Sequence, residues 1–178
     1  QTTGDFIVIS IVGPTGAGKT ALALKLSKNL PINVISADSR QVYKYMDIGT
    51  AKPTKEQRNT LTHYLVDYIN PDEKYNLNKF IIDSNYYINK IKNKKNIPLI
   101  VGGTGLYIWA LIDKWSLSDV GPNEKFRTKL ENNIKNFGAD YIKNNFINKV
   151  GSDFFNNYDL NNTRRLIRYL EIINEVGI

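Results

Sequence analysis

The chain has 178 residues, 42% of them hydrophobic, no cysteine, one histidine (His63) and a net charge of +7. That length suits one domain, or one domain with an insertion, and that composition suits a buried core. Disulfides, thiolate metal sites and multi-histidine metal centres are excluded, and no segment reaches the ~18 unbroken apolar residues of a membrane span. The excess of basic groups fits a polyanionic partner such as RNA. Lysine outnumbers arginine 18 to 6 and asparagine occurs 22 times, however, so compositional bias accounts for the charge equally well.

In chain order, Phe6–Val12 is a short β-branched run that reads as a buried parallel strand. The stretch KTALALKLSKNL follows as a helix, with Leu22, Leu26 and Leu30 as its apolar stripe and Pro31 as its stop. A second strand is expected at Ile32–Asp38, next to the first, completing a right-handed βαβ unit. A third is expected at His63–Ile69. Residues 76–95 read as a helix with Leu77, Phe80, Ile81, Ile88 and Ile91 near one face. Leu99–Val101 reads as a buried strand ending at Gly102-Gly103, and GLYIWALID as the next helix. This alternation predicts an α/β fold, P-loop NTPase-like, with a doubly wound, mostly parallel sheet over residues 1–117. From Ser118 the pattern turns helical and Asn-rich. Residues 118–163 are expected to form a helical insertion and 164–178 a helix returning toward the core.

Gly13-Pro14-Thr15-Gly16-Ala17-Gly18-Lys19-Thr20 matches the phosphate-cradling loop in full, in its required strand–loop–helix setting. Glycines let successive N–H groups curl around phosphate oxygens, and the helix N-terminus adds partial positive charge. Lys19 is expected to reach the terminal phosphates and Thr20 to hold Mg²⁺; Thr15 either touches phosphate through its hydroxyl or fills the loop. Nucleotide-hydrolysing relatives of this loop place an acid at the end of a second apolar strand. Here that strand ends in Gly102-Gly103. Asp38 is the acid at a strand end near the loop, where open α/β sheets bind ligands. It could take a proton from a nucleophile, touch Mg²⁺ or cap a loop.

GPTGAGKT, ISADSRQVYKYMDIGTAKP, PLIVGGTGLYI and NNTRRLIRYLE occur in this order. With them the chain resembles the tRNA dimethylallyltransferases (tRNA isopentenyltransferases). The resemblance spans essentially the whole chain, which matches the N-terminal half to two thirds of family members. It implies transfer of a dimethylallyl group from dimethylallyl diphosphate to the exocyclic amino nitrogen of the adenine 3′ of the anticodon in tRNA. The loop would then hold a departing diphosphate, with Lys19 and Mg²⁺ on Thr20 stabilising its growing charge. Asp38 would accept the amine proton. The resemblance places Asp38, Ser39, Arg40 and Gln41 against the target nucleotide, Thr104 against the flipped adenine, and Arg127 near tRNA. Gln41 has the donor and acceptor a base edge needs. Arg40 pairs a phosphate, stacks on a base or is a plain surface charge.

Arg164, Arg165 and Arg168, with Leu166 and Ile167 between them, form the other expected tRNA-binding stretch; a solvated helix face is the alternative. His63, Tyr43, Tyr45 and Tyr107 are expected as core or cleft lining. A monomer in the cytoplasm is expected, the N-terminus showing no targeting features. Two other functions compete: prenyl transfer to free AMP, ADP or ATP, and a P-loop small-molecule kinase.

Overall fold

The computed structural model describes residues 8–115, 118, 120–152 and 159–177. Contacts divide the chain into two units, Gln1–Ser116 and Leu117–Ile178.

The first unit is built on four parallel strands, β1 (Ile9–Val12), β2 (Ile32–Ser36), β3 (His63–Tyr64) and β4 (Ile97–Gly102), in the order β1-β4-β2-β3. Helices α1 (Lys19–Leu26), α2 (Lys55–Thr60), α3 (Leu77–Asn93) and α4 (Gly105–Ile112) alternate with them. The pleat sends successive side chains to opposite faces, so each central strand feeds two cores. Ile32, Val34, Leu99 and Val101 pack with Ala23 of α1, while Ile35 and Ile100 pack with Phe80, Ile88, Ile91 and Ile108 of α3 and α4. Phe80 and Tyr107 stack at 4.2 Å between ring centres. Helices on both faces of a parallel sheet are the doubly wound arrangement.

Three expectations differ in the structure. The α1 stripe is not Leu22-Leu26-Leu30. Ala23 is the buried residue, Leu24 and Leu26 flank it, and Leu22 and Leu30 are exposed. A helix pressed close against a sheet admits a small side chain at its nearest point. The third strand stops after Tyr64, because Leu65 and Asp67 turn to φ 61° and 51°, outside the extended region. Pairing resumes as a single bridge between Tyr43 and Ile69. Finally, β4 lies between β1 and β2, so the strand leading to Asp38 is not the neighbour of the strand leading to the glycine loop. Phe6 and Ile7, expected to start the first strand, lie outside the described residues. Helix α2, which the pattern of apolar residues does not reveal, opens with a capping box between Thr54 and Gln57.

The second unit contains α5 (Glu124–Phe137), α6 (Ala139–Val150) and α7 (Thr163–Val176). Leu130, Ile142, Leu166, Ile167 and Leu170 form its core. Helix α7 buries its apolar face inside this unit, where the sequence suggests a helix returning to the α/β core. Beside that core lies Glu171, whose side chain is fully inaccessible to solvent. It accepts hydrogen bonds from the Asn123 amide (2.6 Å), from Arg127 through two nitrogens (2.7 and 2.8 Å) and from Arg168. Arg168 also donates to the Val120 carbonyl at 2.8 Å.

Candidate active site

The glycine loop leaves β1 and enters α1 with Gly16 at φ 83° and Gly18 at φ 79°. A Cβ at either position would meet nothing within 4 Å, so these glycines serve backbone conformation and not space. Gly18 is the N-cap of α1, and no side chain caps that end. The first amides of the helix therefore remain available to an anion. The Lys19 ammonium lies over the loop, donating to the carbonyls of Gly13 (2.9 Å) and Pro14 (2.7 Å).

Gly102 explains how β2 and β4 close the site. A Cβ there would overlap the backbone of Ala37, whose amide donates to Val101 O (2.8 Å) and whose carbonyl accepts from the Thr104 amide (3.1 Å). Gly103 similarly faces the Gly13 carbonyl. No carboxylate can stand at position 102, and the nearest strand-end acid is Asp38, one residue beyond Ala37. Gly102→Ala is expected to destabilise the α/β unit by about 1–3 kcal/mol or more, read as a lower midpoint in denaturant with an unchanged slope.

One cleft is lined by Lys19, Thr20, Asp38, Gln41, His63 and Gly102, among others. Asp38 accepts from the amides of Arg40 (2.9 Å) and Gln41 (3.2 Å) through Oδ1, closing a tight turn. Its Oδ2 has no hydrogen-bond partner among the described residues. Loop-capping thus occupies one oxygen of the carboxylate and leaves the other open to the cleft. Thr104 Oγ1 accepts from the Ser39 amide (3.1 Å), which leaves the hydroxyl proton free to donate. His63 presents Nδ1 to the Leu61 carbonyl at 2.6 Å, and burial holds its pKa below the ordinary histidine value, favouring the neutral ring. Tyr107, buried and stacked on Phe80, has its hydroxyl pKa raised by burial and then by Tyr43 and Asp38.

Gln41 departs from its expected role. Its Oε1 accepts from Ser36 Oγ (3.0 Å), and its Nε2 donates to the carbonyls of Thr50 (3.1 Å) and Ala51 (3.0 Å). With both amide hydrogens occupied, it clamps the following loop onto β2 and has no donor left for a base edge. Arg40 is exposed, and its guanidinium has no partner among the described residues.

The expected arginine surface also divides. Leu166 and Ile167 are buried in the helical core, so their side chains offer nothing to a ligand. Arg127 and Arg168 are engaged by Glu171, and that hydrogen bonding raises the Arg127 pKa. Arg165 pairs with Asp159 at 3.3 Å on the surface. Arg164 is exposed without a partner among the described residues. Glu171 escaped the sequence reading, though its position on the apolar stripe of α7, one turn beyond Ile167, was a visible signal.

The model of the IPP transferase family matches residues 41–178. The chain belongs to the IPP transferase family. A tRNA dimethylallyltransferase of Natranaerobius thermophilus is 40% identical over 96% of this chain and 52% of its own length. One of Acetivibrio thermocellus is 41% identical over 93% of this chain and 52% of its own. The chain spans about half the length of these curated relatives. Among solved structures, the tRNA isopentenylpyrophosphate transferase of Bacillus halodurans is 37% identical, with a TM-score of 0.63 over 96% of this chain and 56% of that one. A eukaryotic dimethylallyltransferase described as acting on tRNA is 30% identical, with a TM-score of 0.80 over 98% of this chain and 43% of that one. The fold class expected from sequence, a P-loop NTPase-like α/β sheet with mostly parallel strands, is the fold of this IPP transferase family chain. No helix among the described residues is long and apolar enough to cross a membrane.

Proposed function

We propose that this chain carries the donor-binding and proton-accepting part of a tRNA dimethylallyltransferase, working as a single chain in the cytoplasm. The observation that carries the reading is the cleft that brings Lys19, Thr20 and the uncommitted Oδ2 of Asp38 together where no second strand-end acid can fit. The loop amides and Lys19 bind the diphosphate of dimethylallyl diphosphate. The allylic C–O bond breaks and its electron pair leaves on the diphosphate, whose growing charge these donors stabilise in the transition state. The lone pair of the adenine amino nitrogen forms the new C–N bond. The amine proton passes to Asp38 Oδ2, with the Thr104 hydroxyl positioned to donate to the same base.

The donor set fits Mg²⁺. Thr20 supplies a hydroxyl in the same cleft as Asp38, and no group of three or more His, Asp or Glu side chains among the described residues would hold a metal by itself. A cation that keeps most of its waters and leans on phosphate oxygens matches such a set. When bound, it would supply additional charge stabilisation on the diphosphate.

The test is incubation of the chain with labelled dimethylallyl diphosphate and tRNA, AMP or ATP in parallel. Label on tRNA alone supports the proposal. Label on AMP or ATP, or phosphate release from ATP without prenyl transfer, overturns it. The unpaired Arg164 is expected to contribute one phosphate contact. Arg164→Ala should weaken tRNA binding at low salt and reduce the slope of log affinity against log salt by about one. The same substitution at the paired Arg165 should change the slope less.

A further inference from the structure

Residues 43–52 follow the Asp38 turn, and their order is maintained by polar clamps beneath them. Lys52, whose side chain is 5% exposed, donates to the Tyr43 carbonyl (2.7 Å), Asp47 (2.9 Å) and Asp67 (2.7 Å). Although burial lowers the Lys52 pKa, the bonds to Asp67 and Asp47 outweigh it and raise the value, so the ammonium is kept charged. Arg58 holds the other oxygen of Asp67 at 2.6 Å. Thr50 Oγ1 donates to the Met46 carbonyl (2.7 Å), and Gln41 holds the carbonyls of Thr50 and Ala51.

On the outer side of this braced loop the side chains are large and apolar. Tyr45 is 82% exposed, Ile48 99% and Met46 is also exposed. The sequence places Tyr45 in core or cleft lining; it stands outside the core and lines the rim of an open depression. It also stands at φ 63°, a conformation a tyrosine adopts only under constraint. Isolated exposed apolar residues are ordinary, but three on one rigid segment mark a contact surface. The adjoining depression, about 630 Å³, is lined by Lys44, Lys52, Lys55 and Arg58 against Asp47 and Asp67, an excess of positive charge. Pro53 lines both this depression and the cleft that contains Lys19 and Asp38, so the two are neighbours.

An exposed ring beside cationic side chains, next to the cleft proposed above to hold the reacting centre, is the chemistry of single-stranded nucleic-acid binding. We propose that Tyr45, with Met46 and Ile48 beside it, is a stacking platform for an unpaired base neighbouring the reacting adenine, with Lys44 and Lys55 facing the phosphates. The inference rests on the RNA-prenylation reading above and adds a recognition element to it. Loop rigidity matters because an ordered ring surrenders little entropy when a base stacks on it.

The test is binding of an anticodon stem-loop RNA to the whole chain, read by fluorescence anisotropy at several salt concentrations. Tyr45→Asn removes the ring and retains a residue that tolerates φ near +60°; Tyr45→Trp preserves a stacking surface. Tyr45→Asn is expected to bind about 5- to 100-fold more weakly with an unchanged salt slope, and Tyr45→Trp within about threefold of the parent. Lys44→Ala should instead lower the slope by about one. If Tyr45→Asn binds as the parent does while the parent prenylates tRNA, the stacking inference falls and the function stands. If the parent binds no RNA, both fall. If the substitution leaves RNA affinity intact but dissociates a dimer in sedimentation, the surface belongs to a second copy and the inference is overturned.

Discussion

Replacing Asp38 by asparagine is expected to lower prenyl transfer by about 10²–10⁴-fold while donor binding and stability change little. Asparagine keeps an oxygen that can accept from the amides of Arg40 and Gln41, so the turn closed by Oδ1 survives. What it loses is an atom able to take a proton from the amine. Asp38→Ala removes both roles and should add about 1 kcal/mol of destabilisation from the unsatisfied amides. Single-turnover transfer from labelled donor to tRNA, with diphosphate affinity measured beside it, separates the two. A substitution to asparagine that retains full rate would remove Asp38 from the chemistry and leave it a turn residue.

Glu171→Ala is expected to unfold the helical unit, with a loss of about 3–5 kcal/mol. The substitution deletes the shared acceptor of Arg127, Arg168 and the Asn123 amide, leaving two guanidiniums without their counter-charge. A small unit with a core of a few leucines and isoleucines cannot absorb such a loss. Hydrogen exchange should show fast amides in α5 and α7 with protection retained in β2 and β4. The same cluster sets the acid response. Burial disfavours the Glu171 carboxylate, but hydrogen bonds from Arg127, Asn123 and Arg168 prevail and hold its pKa down to about 2 from an ordinary 4.5. A carboxyl depressed by folding stabilises above its unfolded pKa and ceases to do so as pH falls through its folded one. Helical content of this unit should therefore decline between about pH 4.5 and pH 2. An acid response unchanged by the substitution Glu171→Gln would show that the cluster contributes nothing.

Sequence and structure agree best where neighbours in the chain do the work. The glycine loop, its helix and the strand before it are adjacent residues, and φ preference plus the helix end dictate their shape. The helix over 77–93 was legible from the spacing of Leu77, Phe80, Ile81, Ile88 and Ile91, and the helical character of the segment after Ser118 from its pattern. Failures came where a distant partner intervened. Ala23 replaced the leucine stripe because the sheet decides which side of α1 is near. Leu65 and Asp67 ended β3 by left-handed turns, one of them fixed by ion pairs to Lys52 and Arg58. Gln41 looked like a base reader until Ser36, Thr50 and Ala51 took all its bonds.

By itself the amino-acid order determined a glycine cradle of backbone amides at residues 13–20, since its shape is closed by local dihedral angles. Only the tertiary structure decided that Gly102 must be bare because Ala37 crosses it, that Asp38 keeps one oxygen free, and that Glu171 pairs with two arginines. Each of these depends on residues distant in sequence, and their meeting is set by strand order and core packing, which no local pattern encodes.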